Sequence, residues 1–360
     1  MAASTQSADV DSLLCWYRSQ RRDLPWRRTR DPYHIWLSEI MLQQTQVVTV
    51  IPYYLRFIER YPNVEMLAAS EPDELLALWQ GLGYYARARN LRRAAQMICK
   101  QHQGRLPATR RELLALPGIG EYTAAAILSI SFGQDIAAID GNVKRVLARL
   151  YDLDLDIESP AARRWLAEAS TALLPAGQAS DYNQAMMELG ATVCLPRSPA
   201  CDVCPLSDVC LARAHDTIPL RPVTTPRRQT PTRELVAAHC VREGRLLIVR
   251  RPPTGLLGGL WELPSWELAP AEAPASALAA ALAGHAESAQ IGAEMALVRH
   301  AYTHFAVHVH ILACELPSFA PGDRWDGVHW LPCEELGAFG LTGVTLKALR
   351  QSPWLNPRLL

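Results

Sequence analysis

The sequence changes its periodicity once, across residues 216–233, where Pro219, Pro222, Pro226 and Pro231 alternate with Arg221, Arg227, Arg228 and Arg233. Proline fixes φ and removes a backbone donor, so neither a helix nor a central strand passes through such a stretch. An extended linker is expected there, and with it a chain of more than one domain, which 360 residues allow. Ahead of it, apolar and amphipathic stretches at 75–79, 91–100, 122–131 and 162–174 are cut short by proline and glycine, predicting an all-α unit of many short helices over 1–215. Behind it the pattern is that of strands. Residues 235–241 and 245–250 flank Glu243-Gly244, and at 305–313 Val307, Val309 and Ile311 alternate with His308 and His310. With an alanine-rich helix near 271–284 and a final helix near 342–351, the region 234–352 reads as α+β.

At 49% hydrophobic and 20% charged residues, the chain is excluded from the disordered and fibrous classes. No apolar run reaches the roughly 18 residues of a spanning helix, and the first ten residues lack the basic and apolar regions of an export signal. A cytoplasmic, nucleoid-associated protein is expected, with no membrane partner. The 36 basic and 36 acidic side chains cancel. Locally they do not: Arg87, Arg89, Arg92, Arg93, Lys100, Arg105, Arg110 and Arg111 follow one another without an acid. This run is either a solvated helix face or a surface for a polyanion.

Nine cysteines with no export signal argue against a disulfide framework. Four of them, Cys194, Cys201, Cys204 and Cys210, fall within 17 residues, on a segment stiffened by Pro196, Pro199 and Pro205. Four thiolates on one short loop suit a tetrahedral zinc or the corners of a 4Fe-4S cluster. Zinc ribbons usually carry two separate two-residue gaps, and this run has one, which leans towards iron and sulfur.

Three short segments carry further chemistry. Leu116-Pro117-Gly118-Ile119-Gly120 joins two helical stretches. Its two glycines permit either a plain interhelical turn or a hairpin that directs backbone N–H groups at an anion. Asp140 follows the apolar run 136–139 and precedes Gly141-Asn142, where it would cap the next helix and could also face a cleft. Glu39 stands among Ile35, Trp36, Leu42 and Gln43 in a helix too apolar for a surface. Either an arginine pairs with it in a plain core, or burial lifts its pKa and makes it a general acid.

Six ordered motifs together resemble the adenine DNA glycosylases of the MutY type, in the helix-hairpin-helix superfamily shared with endonuclease III. They are Leu24-Pro25-Trp26-Arg27, residues 38–45 (Ser-Glu-Ile-Met-Leu-Gln-Gln-Thr), Gly81-Leu82-Gly83-Tyr84-Tyr85, the hairpin 116–120, Ile139-Asp140-Gly141-Asn142-Val143 and the cysteine spacing. The resemblance implies an all-α helix-hairpin-helix glycosylase domain with one 4Fe-4S cluster on the loop 194–210, followed by a MutT/Nudix-like domain. It implies removal of adenine mispaired with 8-oxoguanine or guanine in duplex DNA, by a monomer. Glu39 would protonate the base, Asp140 would stabilise the sugar cation, and Tyr122 and Asn142 would hold both. Arg27 and Gln184 fall at positions that contact the adenine edge. Gln44, Leu82 and Tyr84 would wedge the duplex, with Leu116, Gly118 and Gly120 gripping its backbone.

Two departures sharpen this expectation. Where bifunctional relatives carry a Schiff-base lysine in the second hairpin helix, this chain has Tyr122, so a monofunctional enzyme is expected rather than a lyase. Gly259-Leu260-Trp261-Glu262-Leu263-Pro264 resembles the strand leading into a Nudix box, but the acidic helix that would bind magnesium is replaced by alanines. The domain is therefore expected to read a nucleotide without hydrolysing one. Its loop 299–304 matches a family loop written Phe-Ser-His, with Tyr302 and Thr303 as departures, and Thr303 and His304 would read the lesion. The competing readings are a Nudix hydrolase and a DNA-binding protein without catalysis, the latter opposed by the presence of both Glu39 and Asp140.

Overall fold

The computed structural model describes residues 2–225 and 230–354, so Pro226, Arg227 and Arg228 of the expected linker lie outside the described residues. Residues up to 68 together with 91–225 form one unit, and residues 69–90 together with 230–354 form a second.

The first unit is helical. Its helix Pro32–Leu42 starts with Pro32 at the first helical position, where a missing N–H costs nothing, and Asp31 caps it by accepting from Tyr33 N at 2.8 Å. Tyr33, Ile35, Trp36, Leu37, Ile40 and Met41 are all buried, so this helix lies in the core on every side, packed against Val47–Arg60 and Glu121–Phe132. Helix Ala179–Thr192 packs in turn on Ala2–Gln20, Glu121–Phe132 and Gly141–Leu150. Tyr17, Leu147, Tyr182, Met186 and Leu189 fill the space between them. Gly190 makes one of these contacts possible: a Cβ there would lie 2.5 Å from that of Asn142. The helices expected at 122–131 and 162–174 appear as Glu121–Phe132 and Pro160–Leu173.

Among the described residues, the second unit is built on seven strands, β1 (Thr232–Arg242), β2 (Arg245–Arg250), β3 (Trp261–Glu262), β4 (Ser265–Glu267), β5 (Gln290–Ala301), β6 (Ala306–Glu315) and β7 (Gly327–Pro332). β1 and β2 form a hairpin whose turn places Glu243 and Gly244 at positive φ, as a tight two-residue connection demands. β6 pairs with β1 in parallel and with β5 antiparallel. Ala237, Val307, Val309 and Ile311 point to one core, while Val236, Ala238 and Leu312 point to another beneath helix Pro274–Leu282. The final helix, Gly343–Leu349, is capped by Thr342, which accepts from Thr345 N. Segment 69–90 joins this unit through helix Pro72–Leu78: Gln80 accepts from Leu341 N at 2.8 Å, and Asp73 pairs with Arg250 at 3.2 Å.

Three expectations need correction. Cys240 and Cys314, at registered positions on β1 and β6, form a disulfide, where the cysteine count and the lack of an export signal argue against a disulfide framework; the parallel register brings their Cα atoms to 5.0 Å. The basic run is not one surface, because Arg87 is buried with its guanidinium donating to Leu82 O at 3.0 Å, and Arg89 donates to Gly258 O at 2.7 Å. The start of the linker is not free chain: Arg149 donates to Arg221 O, Ile157 N to Val223 O, and Arg221 pairs with Asp152 at 2.8 Å. Among the described residues no helix is long and apolar enough to cross a membrane.

Candidate active site

A cavity of about 520 Å³ opens in the first unit between helices Pro32–Leu42, Glu121–Phe132, Gly141–Leu150 and Ala179–Thr192. Glu39, Tyr122, Asp140, Asn142, Arg27, Gln184 and Gln44, far apart in sequence, all line it. Glu39 is 5% exposed, and Tyr122 donates its hydroxyl to Oε2 at 2.6 Å. Burial pushes the Glu39 carboxyl up to about 7; the Tyr122 hydrogen bond and Arg27 oppose the shift and Asp140 adds to it. A carboxyl raised this far can hold a proton close to neutral pH, which suits an acid or a base.

Asp140 caps helix Gly141–Leu150, accepting from Val143 N at 2.7 Å and from Asn142 Nδ2 at 2.9 Å. Burial raises its pKa, while these donors and Arg145 oppose the rise. The cap and the cleft-facing carboxylate are thus one residue. Behind it, Asn142 Oδ1 accepts from Arg145 Nη2 at 2.9 Å, and Arg145 donates onward to Gly190 O and to Cys194 O, at 2.7 and 2.8 Å.

Arg27 does not point freely into the cavity. It donates to the buried Glu188 at 2.8 Å, a carboxylate that Arg22 also grips with two bonds of 2.8 Å. Burial alone would favour neutral Glu188, but the hydrogen bonds from Arg22 and Arg27 prevail and hold it at about 2. Reading the sequence missed Glu188, which stands four residues after Gln184 on the same helix face. Gln184 itself donates to Ser180 O at 3.1 Å. Gln44 begins the loop after helix Pro32–Leu42 at φ 56°.

Residues 116–120 join helix Arg110–Leu114 to helix Glu121–Phe132. Gly118 has φ 81°, Leu116 is buried beneath it, and Gly120 starts helix Glu121–Phe132 with no side-chain cap and open space around its Cα. In the second unit Leu82 is buried, whereas Tyr84 is exposed at φ 49°. Its hydroxyl shares a 2.9 Å hydrogen bond with Thr303 Oγ1, in the exposed turn between β5 and β6 that also carries His304. His308 and His310 bond to Glu234 and Glu294, at 2.8 and 3.0 Å.

The four clustered cysteines surround a small cavity of about 30 Å³ beside Arg149. Arg149 is 3% exposed, directs Nη1 at Cys194 Sγ from 3.4 Å and braces the loop by donating to Leu195 O and Pro196 O. A buried cation aimed at sulfur fits deprotonated thiolates carrying a net negative group.

Comparison with known proteins finds matches to three segments of the chain. Residues 37–169 match the HhH-GPD superfamily of base excision DNA repair proteins, 194–210 the iron-sulfur binding domain of endonuclease III, and 236–351 the NUDIX domain. The cofactor of the loop is accordingly a 4Fe-4S cluster. The adenine DNA glycosylase of Homo sapiens is 39% identical over 312 residues, 71% of this chain and 57% of that one. That of Schizosaccharomyces pombe is 33% identical over 319 residues, 71% of this chain and 69% of that one. This chain therefore spans little more than half of the human protein's length. Among solved structures, a thermostable thymine-DNA glycosylase is similar with a TM-score of 0.55 and 31% identity, covering 59% of this chain and 98% of that one. An endonuclease III in a non-covalent DNA complex shares the fold, with a TM-score of 0.51 and 24% identity over 60% of this chain and 98% of that one. By its motifs, its two folds and its similarity to these relatives, the chain belongs to the adenine DNA glycosylase family.

Proposed function

We propose that this protein is a monofunctional DNA glycosylase that binds duplex DNA and hydrolyses the N-glycosidic bond of adenine paired with 8-oxoguanine or guanine. The observation that carries the reading is the convergence of the buried Glu39 and the capping Asp140 on one cavity, with the Tyr122 hydroxyl bonded to Glu39. The target adenine is flipped out of the stack, at a cost of a few kcal/mol. Gln44 and Tyr84 fill or widen the gap; Leu82 joins them only once it is uncovered from its buried position. The hairpin, with the uncapped helix start after Gly120, takes the backbone phosphate.

In the cavity Glu39 donates its proton to N7, and the bond from N9 to C1′ breaks with its electrons leaving on the base. Asp140, whose carboxylate form the donors around it support against the burial that raises its pKa, stabilises the positive charge at C1′ until water adds there and passes its proton to the Glu39 carboxylate. This is the division of labour of two carboxylates in glycoside hydrolysis. Arg27, fixed by Glu188, and Gln184 meet the polar edge of the adenine. Residue 122 offers no amine, and Lys144, which lines the cavity, is ion-paired with Glu158 at 2.7 Å, so strand cleavage by β-elimination is not expected. Thr303 and His304, on their exposed turn, read the base opposite. When bound, the 4Fe-4S cluster supplies a rigid cross-link within the loop 194–210, held by Cys194, Cys201, Cys204 and Cys210.

The test is single-turnover cleavage of a duplex with one A:8-oxoguanine pair by wild type and Glu39→Gln, scoring breaks before and after alkali. Breaks after alkali only, lost by at least about 100-fold in the variant, are the expected result. Breaks without alkali would show a lyase, and tight binding without adenine release would show a silent mismatch-binding protein.

A further inference from the structure

The Tyr122 hydroxyl has one proton and two acceptors within reach: Oε2 of Glu39 at 2.6 Å and Sδ of Met187 at 3.0 Å. Met187 stands on helix Ala179–Thr192, one residue before Glu188, and lines the cavity. The chemistry above leaves it without a role. A thioether is a weak acceptor and an unbranched, adaptable filler. A leucine would occupy nearly the same volume and suit the helix equally well, so packing alone does not call for sulfur at this position.

We propose that Met187 is a positioning residue whose sulfur competes with Glu39 for the Tyr122 proton and so keeps Glu39 loaded as an acid. The proposal rests on the reading of Glu39 given above. When Glu39 is ionised, Tyr122 donates to it in a charge-assisted bond that stabilises the anion. When Glu39 holds a proton, that bond weakens, and a buried hydroxyl left without an acceptor would be penalised. Met187 supplies the acceptor. The hydroxyl can then turn its proton to sulfur and present a lone pair to Glu39. The sulfur thus favours the neutral acid relative to the anion, without touching the base that is protonated.

The other charged groups around Glu39 stay in place when the sulfur is removed. Asp140 approaches from the start of helix Gly141–Leu150 and disfavours the anion, while Arg27 favours it from the turn Pro25–Arg28. On the helix of Met187 itself, Glu188 is spent on Arg22 and Arg27.

The experiment uses the full chain and measures single-turnover adenine release against pH for wild type, Met187→Leu, Tyr122→Phe and the double variant. In parallel, the infrared band of the protonated Glu39 carboxyl, identified by its loss in Glu39→Gln, is titrated in the free protein. Met187→Leu is expected to move both the basic limb of the rate profile and the loss of the band to lower pH. A displacement of about half to one pH unit corresponds to about a three- to tenfold loss on the basic side. In the Tyr122→Phe background the same substitution should move neither. Superimposable titrations for wild type and Met187→Leu, or an equal displacement with and without the Tyr122 hydroxyl, would overturn the proposal. If wild type releases no adenine, the functional reading fails, while the infrared titration still decides the role of Met187.

Discussion

Tyr122 donates its hydroxyl to Glu39 across 83 residues of sequence, at 2.6 Å. The bond opposes the effect of burial, which holds the Glu39 carboxyl at about 7. An acid works in its protonated form, so adenine release should be level below pH 7 and fall about tenfold per unit above it. Removing the hydroxyl in Tyr122→Phe withdraws support from the anion and should carry that fall to higher pH, a shift read directly from rate profiles.

The same burial has a cost in stability. Glu39 binds its proton more tightly folded than unfolded, so its favourable contribution is complete below about pH 4.5 and is lost as pH rises through 7. Glu39→Gln, which never ionises, should therefore be more stable than wild type at pH 8, by a difference on the order of 3 kcal/mol. Thermal melts at pH 5 and pH 8 check this: the variant's advantage should appear only at the higher pH.

Glu188 behaves in the opposite sense. Held at about 2 by Arg22 and Arg27, it contributes stability that is present above pH 4.5 and disappears as pH falls through 2. Glu188→Gln strands Arg27, whose side chain is only 11% exposed, and should cost about 3 kcal/mol at pH 7. Denaturant titrations of the two proteins should converge near pH 2. A constant gap at every pH would mean that shape, not charge, is what Glu188 supplies.

Gly190 should tolerate no side chain. Its Cβ would meet that of Asn142 at 2.5 Å, pushing on the residue that donates to Asp140. Gly190→Ala is expected to lose about 1–3 kcal/mol of stability and to slow adenine release even at temperatures where it is fully folded. Circular dichroism and single-turnover rates on one preparation separate the two effects.

Tyr84 and Thr303 share one hydrogen bond of 2.9 Å. Tyr84→Phe and Thr303→Val should each weaken discrimination between A:8-oxoguanine and A:G duplexes by severalfold, and the double variant should be no worse than the poorer single one. Equilibrium binding to the two duplexes gives the comparison. Additive losses would show that the two side chains act separately.

What the sequence discloses follows from whether a residue's role is local. Asp140 is legible as a cap because an acid before Gly141-Asn142 meets its own helix three residues later. The cysteine loop is legible because its ligands lie within 17 residues. Glu39 is legible only as an anomaly, a carboxylate in an apolar helix. Glu188 and Met187 leave no such mark, since their partners Arg22, Arg27 and Tyr122 stand more than sixty residues away and meet them only in the packed unit. Arg87 misleads for the same reason: in a run of basic residues it reads as solvated, yet the carbonyls of Leu82 and Gly83 draw it inside. The disulfide is hidden because the pairing of Cys240 with Cys314 depends on which strand lies beside β1.

The second unit is stitched from two distant pieces of chain, 69–90 and the residues after 230. On the ribosome, the earlier piece emerges long before the strands that hold it. Asp73 and Gln80 must wait for Arg250 and Leu341 to be translated. Nascent chains halted near residue 225 would therefore present helix Pro72–Leu78 without its partners, a natural handle for chaperones and proteases. A shortened gene ending there would not yield a self-sufficient helical half, but one with an unfinished side.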